Sequence, residues 1–598
     1  AAAARIADCL ARMRHRGPDH ASSRVFRRAD GRTIGLLHSR LSIIDLDERS
    51  HQPFTLGSRT IAYNGEIYDY LELRAELEAR GKRFRTSSDT EVLLAMLDEY
   101  GWAGLDRCEG MWAFAVHDAA DDSLALVRDR FGEKALRLLE DRGTVFFGSE
   151  VKFLVALAGR TPEIDLDHVH RYLVNGYKAL YKTEATFFHG VRELPPATIL
   201  RFDRDGRRTE ERYWTARFRP DPAMAYEDAV EGVRRRLVRA VEIRLRADVP
   251  LAFCMSGGVD SNALIGIASR IFGHDVHGFT VLSDDARYDE GDVLQAAIED
   301  LGIRHTPVPM ETGGFLGDLR SLVRHHDAPV YTITYFAHWR LMQRIAAHGY
   351  RISVSGTGAD ELFSGYYDHH LAYFQAVADD PDRHAEAVAE WRERILPLVR
   401  NPHLRDPGLF TRDPTFRDHV FLDQAAFSAM THRRWIEPFR ERRYADDLLR
   451  NRMMNELFHA AVPPILHEDD LNAMSHSIEN RSPFLDRGLV EFAYSIPTRH
   501  LVRRGYAKAV LRDAVRGIAP DAVVEQHRKV GFNAPIFAYL DRTDEAVRRE
   551  VLADGPIFEH VRKDAIARLL ERPDLPNSES KFLFYFLCSK FFLEEFGA

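Results

Sequence analysis

An apolar run from Pro250 to Met255 leads into Ser256-Gly257-Gly258-Val259-Asp260-Ser261-Asn262 and then into a helical pattern over 263–272. Ser256, Gly257 and Gly258 make a tight loop whose backbone N–H groups can face an anion, and the following helix N-terminus adds positive dipole. Asp260 can hold Mg2+, which takes oxygen ligands and neutralises phosphate charge. No lysine follows the glycines, so this is a different loop from the Gly-Lys-Ser/Thr phosphate cradle. A second string, Val354-Ser355-Gly356-Thr357-Gly358-Ala359-Asp360-Glu361, follows a short strand pattern. Its carboxylates stand at the C-terminal end of that strand, where α/β sheets place ligands. Alone it reads as an acidic helix start; paired with Asp260, Asp360 reads as a second magnesium ligand. Strings 467–486 and 505–536 follow. The second of these carries Lys508 and Lys529, cations able to hold phosphates or a developing negative charge. Lys508 by itself reads as a lysine on a solvated helix face; Lys529, beside Gly531, reads as a loop residue.

The elements that position these residues follow from period and turn chemistry. Before residue 215 the chain shows strand patterns at 124–130 and 144–150, an amphipathic helix at 70–81 stopped by Gly81, and a hairpin over 194–214 around Asp205-Gly206. The stretch 218–228 holds two prolines and marks the boundary between domains 1–215 and 225–598. Beyond it, helix 225–248 precedes strands at 250–255, 276–282 and 305–310 that alternate with helices at 263–272 and 290–302. That alternation predicts a parallel α/β sheet. Past Tyr367 the chain is mostly helical, as over 382–400.

Composition narrows the class. The 598 residues are 45% hydrophobic and 29% charged, ordinary for a globular chain with several domains. Net charge is −9, which argues against a nucleic-acid coat. The longest apolar run, Phe582–Cys588, is far short of the ~20 residues of a membrane span, and the N-terminus lacks a signal-peptide pattern. Cys9, Cys108, Cys254 and Cys588 are too scattered for a zinc site or disulfide framework, so a reducing cytoplasm is the default.

These strings together resemble the glutamine-hydrolysing, B-type asparagine synthetase family. The first third agrees through HRGPDH (15–20), SRLSIIDLDERSHQPF (39–54), YNGEIYDY (63–70), RTSSDTEVLL (85–94), GMWAFAVHD (110–118) and RDRFGEKAL (128–136). The likeness runs from about residue 12 to 540 and is weakest over about 371–455. It implies an N-terminal-nucleophile (Ntn) hydrolase domain, an αββα sandwich of antiparallel sheets. A parallel-sheet domain of the adenine-nucleotide α-hydrolase type would follow, with a helical C-terminal part. The implied chemistry is hydrolysis of glutamine by an N-terminal cysteine, passage of ammonia through a tunnel, and attack on an acyl-adenylate made from a carboxylate and Mg-ATP. Aspartate is the default acceptor, with other acids amidated by relatives, and a homodimer is expected.

The resemblance also implies roles. Arg40 would bind the glutamine α-carboxylate within a contact stretch including Leu41, Ser42, Ile43 and Ile44. Asn64 and Gly65 would form the oxyanion hole, and Glu66 and Asp89 would hold the glutamine amino group and main portion. Ser256, Gly257, Gly258, Asp260 and Ser261 match the pyrophosphate loop; Cys254 and Val281 match adenine contacts. Ser355, Gly356 and Lys508 would contact ATP, Asp360 would bind magnesium and pyrophosphate, and Lys529 would stabilise the adenylate.

Two departures stand out. The family's Cys-Gly-Ile start is not in the sequence, in which HRGPDH begins at residue 15, and we expect a further N-terminal stretch ahead of residue 1. Cys9 does not replace it: Ile6, Cys9, Leu10 and Met13 fall at helical spacing, and an internal cysteine lacks the free α-amine that can act as base. The second departure is Thr357, where the family writes glutamate; that carboxylate would assist proton removal from ammonia, and a threonine cannot at neutral pH. Leu471 also stands where a basic residue is usual. An amide ligase using another amine or acceptor, with a retired glutaminase domain, is the second reading.

Overall fold

The computed structural model describes residues 2–28, 30–282, 291–310, 313–421, 423–528 and 535–597. The N-terminal part is layered helix–sheet–sheet–helix. Its larger sheet runs β11 (Arg208–Arg212), β10 (Thr198–Phe202), β6 (Ser123–Arg128), β5 (Gly110–Asp118), β4 (Arg59–Ile67) and β3 (Phe54–Leu56), with every neighbour antiparallel. β5 shows why this sheet has a layer on each face. Trp112, Phe114 and Val116 pack under the helices Tyr70–Ala79 and Asp89–Tyr100, while Ala113 and Ala115 turn to the second layer. That layer consists of β1 (His20–Arg27) with β2 (Thr33–Arg40), and of β8 (Thr144–Gly148), β7 (Arg137–Asp141) and β9 (Val191–Glu193). The helices Ala2–Met13 and Val151–Ala158 close it from outside through Cys9, Phe153 and Ala156. The 194–214 hairpin forms as β10 and β11, with Gly206 at φ 82° in its turn.

The second part carries a parallel sheet in the order β14 (Arg304–Val308), β13 (His277–Val281), β12 (Leu251–Cys254), β15 (Ile352–Val354) and β16 (Glu479–Arg481). Both faces are covered, as parallel sheets require. Leu251 and Phe253 pack with the helix Tyr226–Arg244 and the helix after β12, and Ala252 with Leu341 and Ile345 of the helix Ile333–Ala347 on the other face. The apolar run Phe582–Cys588 lies inside the helix Asn577–Phe596, buried on all sides in a helical core. No helix among the described residues is long and apolar enough to cross a membrane. The stretch where the sequence was least informative has its own core of Phe374, Trp391, Leu449 and Met453, built on the helix Pro381–Arg394 with Asp380 as its cap.

Candidate active site

The chain goes from β12 to β13 on one side and reaches β15 on the other, so the strand order reverses between β12 and β15. Ligands bind at such a crevice beyond the carboxyl ends of the strands, and the loops after β12 and β15 flank it. The loop after β12 is locked from within. The Asn262 amide donates to the carbonyls of Ser256 and Gly258, both at 2.8 Å, and Gly258 N donates to the Ser256 hydroxyl at 3.2 Å. Because the loop closes so tightly, the helix begins at Val259 rather than at 263, as its apolar pattern suggests. Asp260 and Ser261 therefore stand in the first helical turn. Gly356 is dictated by close approach: a Cβ there would sit 2.9 Å from the Asp260 Cβ. Gly365 is more constrained, since a Cβ there would fall 1.5 Å from an Asp360 carboxylate oxygen.

Between these loops Asp260 and Asp360 converge on one cation. Lys508 Nζ donates to Asp260 Oδ1 and Oδ2 at 2.7 and 2.6 Å, and lies 2.6 Å from Asp360 Oδ1. Lys508 is therefore not on a solvated helix face. It is 6% exposed and caps the helix Ala509–Ala514 from a left-handed conformation with φ 57°. Burial would lower its pKa, but the two carboxylates hold it above the ordinary lysine value. Cys254 and Val281 end the adjacent strands β12 and β13, and burial pushes the Cys254 thiol up. Ser355 N donates to the carbonyl of Arg481 at 3.0 Å. Lys529 lies outside the described residues.

The N-terminal part has a cavity of about 1030 Å³ that Arg40, Asn64, Gly65, Glu66 and Asp89 all line, together with Leu41, Ile43 and Ile44. Ser42 is not part of the wall; its N–H donates to Asp19 at 2.8 Å. The Arg40 guanidinium is held by the carbonyls of Ile44, Asp45 and Asp47. Asn64 Nδ2 donates to Ser149 Oγ at 3.4 Å. Gly65 is packed on β5, where a Cβ would meet the Met111 carbonyl at 2.1 Å. Burial pushes Glu66 well up, as do the charges of Asp89 and Glu479, and its buried Oε2 has no hydrogen-bond partner among the described residues. Such an orphaned oxygen faces the cavity free to bond a guest. Cys9 touches the same cavity, but burial pushes its thiol up to about 12, so it is no thiolate at neutral pH.

Asp89 accepts from Tyr63 Oη and Ile67 N, both at 2.9 Å, yet burial pushes its carboxyl up to about 6. The folded chain thus holds this proton more tightly than the unfolded one, whose pKa is about 3.9. Ionising Asp89 opposes folding as pH rises from about 4 to about 6. Asp89→Asn is expected to gain unfolding-midpoint stability relative to the parent above pH 6 and to lose that gain near pH 4. Parallel midpoint curves across this range would contradict the assignment.

Two arginines missed from the sequence join the centres. Arg16 donates to Glu150 Oε1 at 2.8 Å and to Asp470 Oδ2 at 2.9 Å. Arg481 pairs with Glu479 at 2.9 Å and approaches Glu66 at 4.0 Å, while its carbonyl holds the loop after β15. Both stand inside the strings 15–20 and 467–486, which was the available signal.

A parallel sheet with two glycine loops at its switch point, fused to an antiparallel sandwich with its own polar cavity, defines a two-centre protein. Residues 1–214 match the glutamine amidotransferase domain model and residues 232–588 the asparagine synthase model. The chain belongs to the asparagine synthase family. It is 29% identical over 578 residues to asparagine synthetase (glutamine-hydrolyzing) 1 of Bacillus subtilis, covering 93% of this chain and 88% of that one. A putative asparagine synthetase (glutamine-hydrolyzing) of Mycobacterium bovis is 31% identical over 574 residues, covering 90% and 85%. Amidase chry2 of Gibberella zeae is 27% identical over 571 residues, covering 86% and 83%.

Proposed function

We propose that this chain activates a carboxylate as an acyl-adenylate with Mg-ATP and amidates it, drawing nitrogen from glutamine at the second centre. The observation that carries this reading is the convergence of Asp260 and Asp360 on one cation beside a glycine loop that opens a helix. The Lys508 ammonium marks the place of positive charge, and two carboxylates of this spacing suit a divalent cation equally. Asp260 and Asp360 would hold Mg2+, which when bound neutralises charge on the pyrophosphate leaving group. Ser256, Gly257, Gly258 and Ser261 would cradle that group, Ser355 and Gly356 would border the nucleotide, and Cys254 and Val281 would lie on its adenine side. Lys508 would then turn from the carboxylates to the phosphates, and Lys529 would steady the adenylate. Carboxylate-dependent exchange of labelled pyrophosphate into ATP tests the reading; no exchange with any acid of a broad panel would refute it.

On the glutamine side, Arg40 would bind the α-carboxylate, Glu66 and Asp89 the amino group, and Asn64 and Gly65 the oxyanion. Arg40→Ala is expected to weaken glutamine binding by calorimetry by about 10–150-fold, the ~1.5–3 kcal/mol of a charge-assisted contact, with amidation from free ammonia unchanged. Equal loss with both nitrogen sources would contradict it. Hydrolysis of glutamine needs a nucleophile that Cys9 does not provide, so glutamine and ammonia should be assayed side by side.

Thr357 favours a second reading of the acceptor. A short hydroxyl side chain in place of a glutamate leaves more room beside the acyl group, which suits an acid bulkier than aspartate. Asparagine formation from aspartate at rates ordinary for an enzyme, about 1–10³ s⁻¹, would restore aspartate as the substrate.

A further inference from the structure

Three carboxylates could replace the one missing at position 357. Asp327 is taken by Lys152, whose N–H lies 2.9 Å and whose ammonium lies 3.4 Å from its Oδ2. Glu361 accepts from the Tyr366 hydroxyl at 2.5 Å. The third was not visible in the sequence. Asp469 reaches up from the helix Val462–Met474, 112 residues away, and its Oδ2 accepts from the Thr357 hydroxyl at 3.4 Å. Ser355 Oγ lies 3.2 Å from that hydroxyl and is itself held by the Asn480 amide at 3.1 Å, so the threonine rotor is fixed in the loop after β15.

Asp469 is 6% exposed. Few groups among the described residues face it. His338 Nδ1, from the helix Ile333–Ala347, lies 3.6 Å from its Oδ1. Cys254 feels its charge from β12, Tyr335 from the same helix as His338, and Asp470 and Glu468 flank it on its own helix. No lysine or arginine among the described residues pairs with it, unlike Asp470, which Arg16 and Lys134 claim. Burial raises its pKa, while His338 and the Thr357 hydroxyl act the other way. His338 is oriented by the Asn472 amide at 3.3 Å, and its side chain keeps 15% exposure, which gives the pair a way out to water.

We propose that Asp469 is the proton acceptor of the amidation step, acting through the Thr357 hydroxyl. This rests on the acyl-adenylate reading above. The amine nitrogen attacks the acyl carbon, the C–N bond forms, and the C–O bond to phosphate breaks with its electron pair leaving on AMP. One N–H proton passes to Thr357 Oγ as the hydroxyl's own proton passes to Asp469, which releases it to solvent past the part-exposed His338 after the amide has formed. The products are neutral amide, AMP and one released proton. Asp469 touches no reacting atom, so it positions and drains the hydroxyl that does.

The test separates adenylation from amidation. Pyrophosphate exchange and ammonia-driven amide formation are measured for the full chain and for Asp469→Asn, Thr357→Val and Thr357→Ser. Asp469→Asn and Thr357→Val are expected to lower kcat for amidation by about 10²-fold or more, the scale of general-base catalysis. Exchange should stay within about threefold, and Thr357→Ser should behave as the parent. The acid limb of the parent pH–rate profile should vanish in Asp469→Asn, which a merely structural role would not produce. Thr357→Val keeps the proposal falsifiable if Asp469→Asn fails to fold. Normal amidation in either variant would overturn the relay, as would equal loss of exchange and amidation. No exchange in the parent with any acid would instead bring down the acyl-adenylate reading and the relay with it.

Discussion

Asp260→Ala and Asp360→Ala should each reduce pyrophosphate exchange by about 10³-fold or more, roughly 4 kcal/mol of barrier, while leaving glutamine binding as it was. Each carboxylate is fixed beside the two glycine loops proposed to hold Mg-ATP. Asp260 stands in the first turn of the helix from Val259, and Asp360 lies against Gly365, where no larger residue fits. Removing one leaves Lys508 paired with the other, so the fold keeps a neutralised site. The loss should therefore appear in exchange rather than in the unfolding midpoint. Near-parental exchange in either variant would show that the two loops hold something other than Mg-ATP.

The largest effect on stability is expected from Arg16→Ala. This guanidinium, 6% exposed, bridges Glu150 of the N-terminal part and Asp470 of the parallel-sheet part. Glu150 keeps His15 and Lys152 when it is lost, but Asp470 keeps only Lys134, at 3.4 Å, among the described residues. Breaking a buried pair from one side typically costs about 3–5 kcal/mol. Burial would raise the Asp470 pKa, but Arg16 and Lys134 hold it below the ordinary carboxylate value. A depressed acid contributes stability above its unfolded pKa of about 3.9 and loses it as pH falls through the folded value. The deficit of Arg16→Ala should accordingly be full at neutral pH and shrink below about pH 4. A midpoint within about 1 °C of the parent at pH 7 would show that the bridge contributes nothing, since a loss of this size shifts the midpoint by several degrees.

The helix at 70–81, the 194–214 hairpin and the strand–loop–helix at 250–272 could be read directly, because period and turn chemistry act within a few residues. The glycine loop after β12 was legible for the same reason: Ser256, Gly258 and Asn262 bond to one another, so their string carries its own geometry. The start of the helix at Val259 was not, since the apolar pattern begins later than the backbone turn. The string 39–54 was recognisable as a unit, but only folding showed that Ser42 turns away from the cavity that Arg40, Ile43 and Ile44 line.

The sequence by itself determined the two domains' characters and the contiguous motifs. Tertiary structure alone decided which distant charges meet. Lys508 reads as a surface lysine until the sheet brings Asp260 and Asp360 against it from 248 and 148 positions away. Asp469 has no sequence tie to Thr357, and Arg16 none to Asp470. Local propensity fixes backbone conformation through neighbouring side chains. Electrostatic partners are set by which faces of which elements pack together, and their energies depend on burial that exists only once the cores have closed.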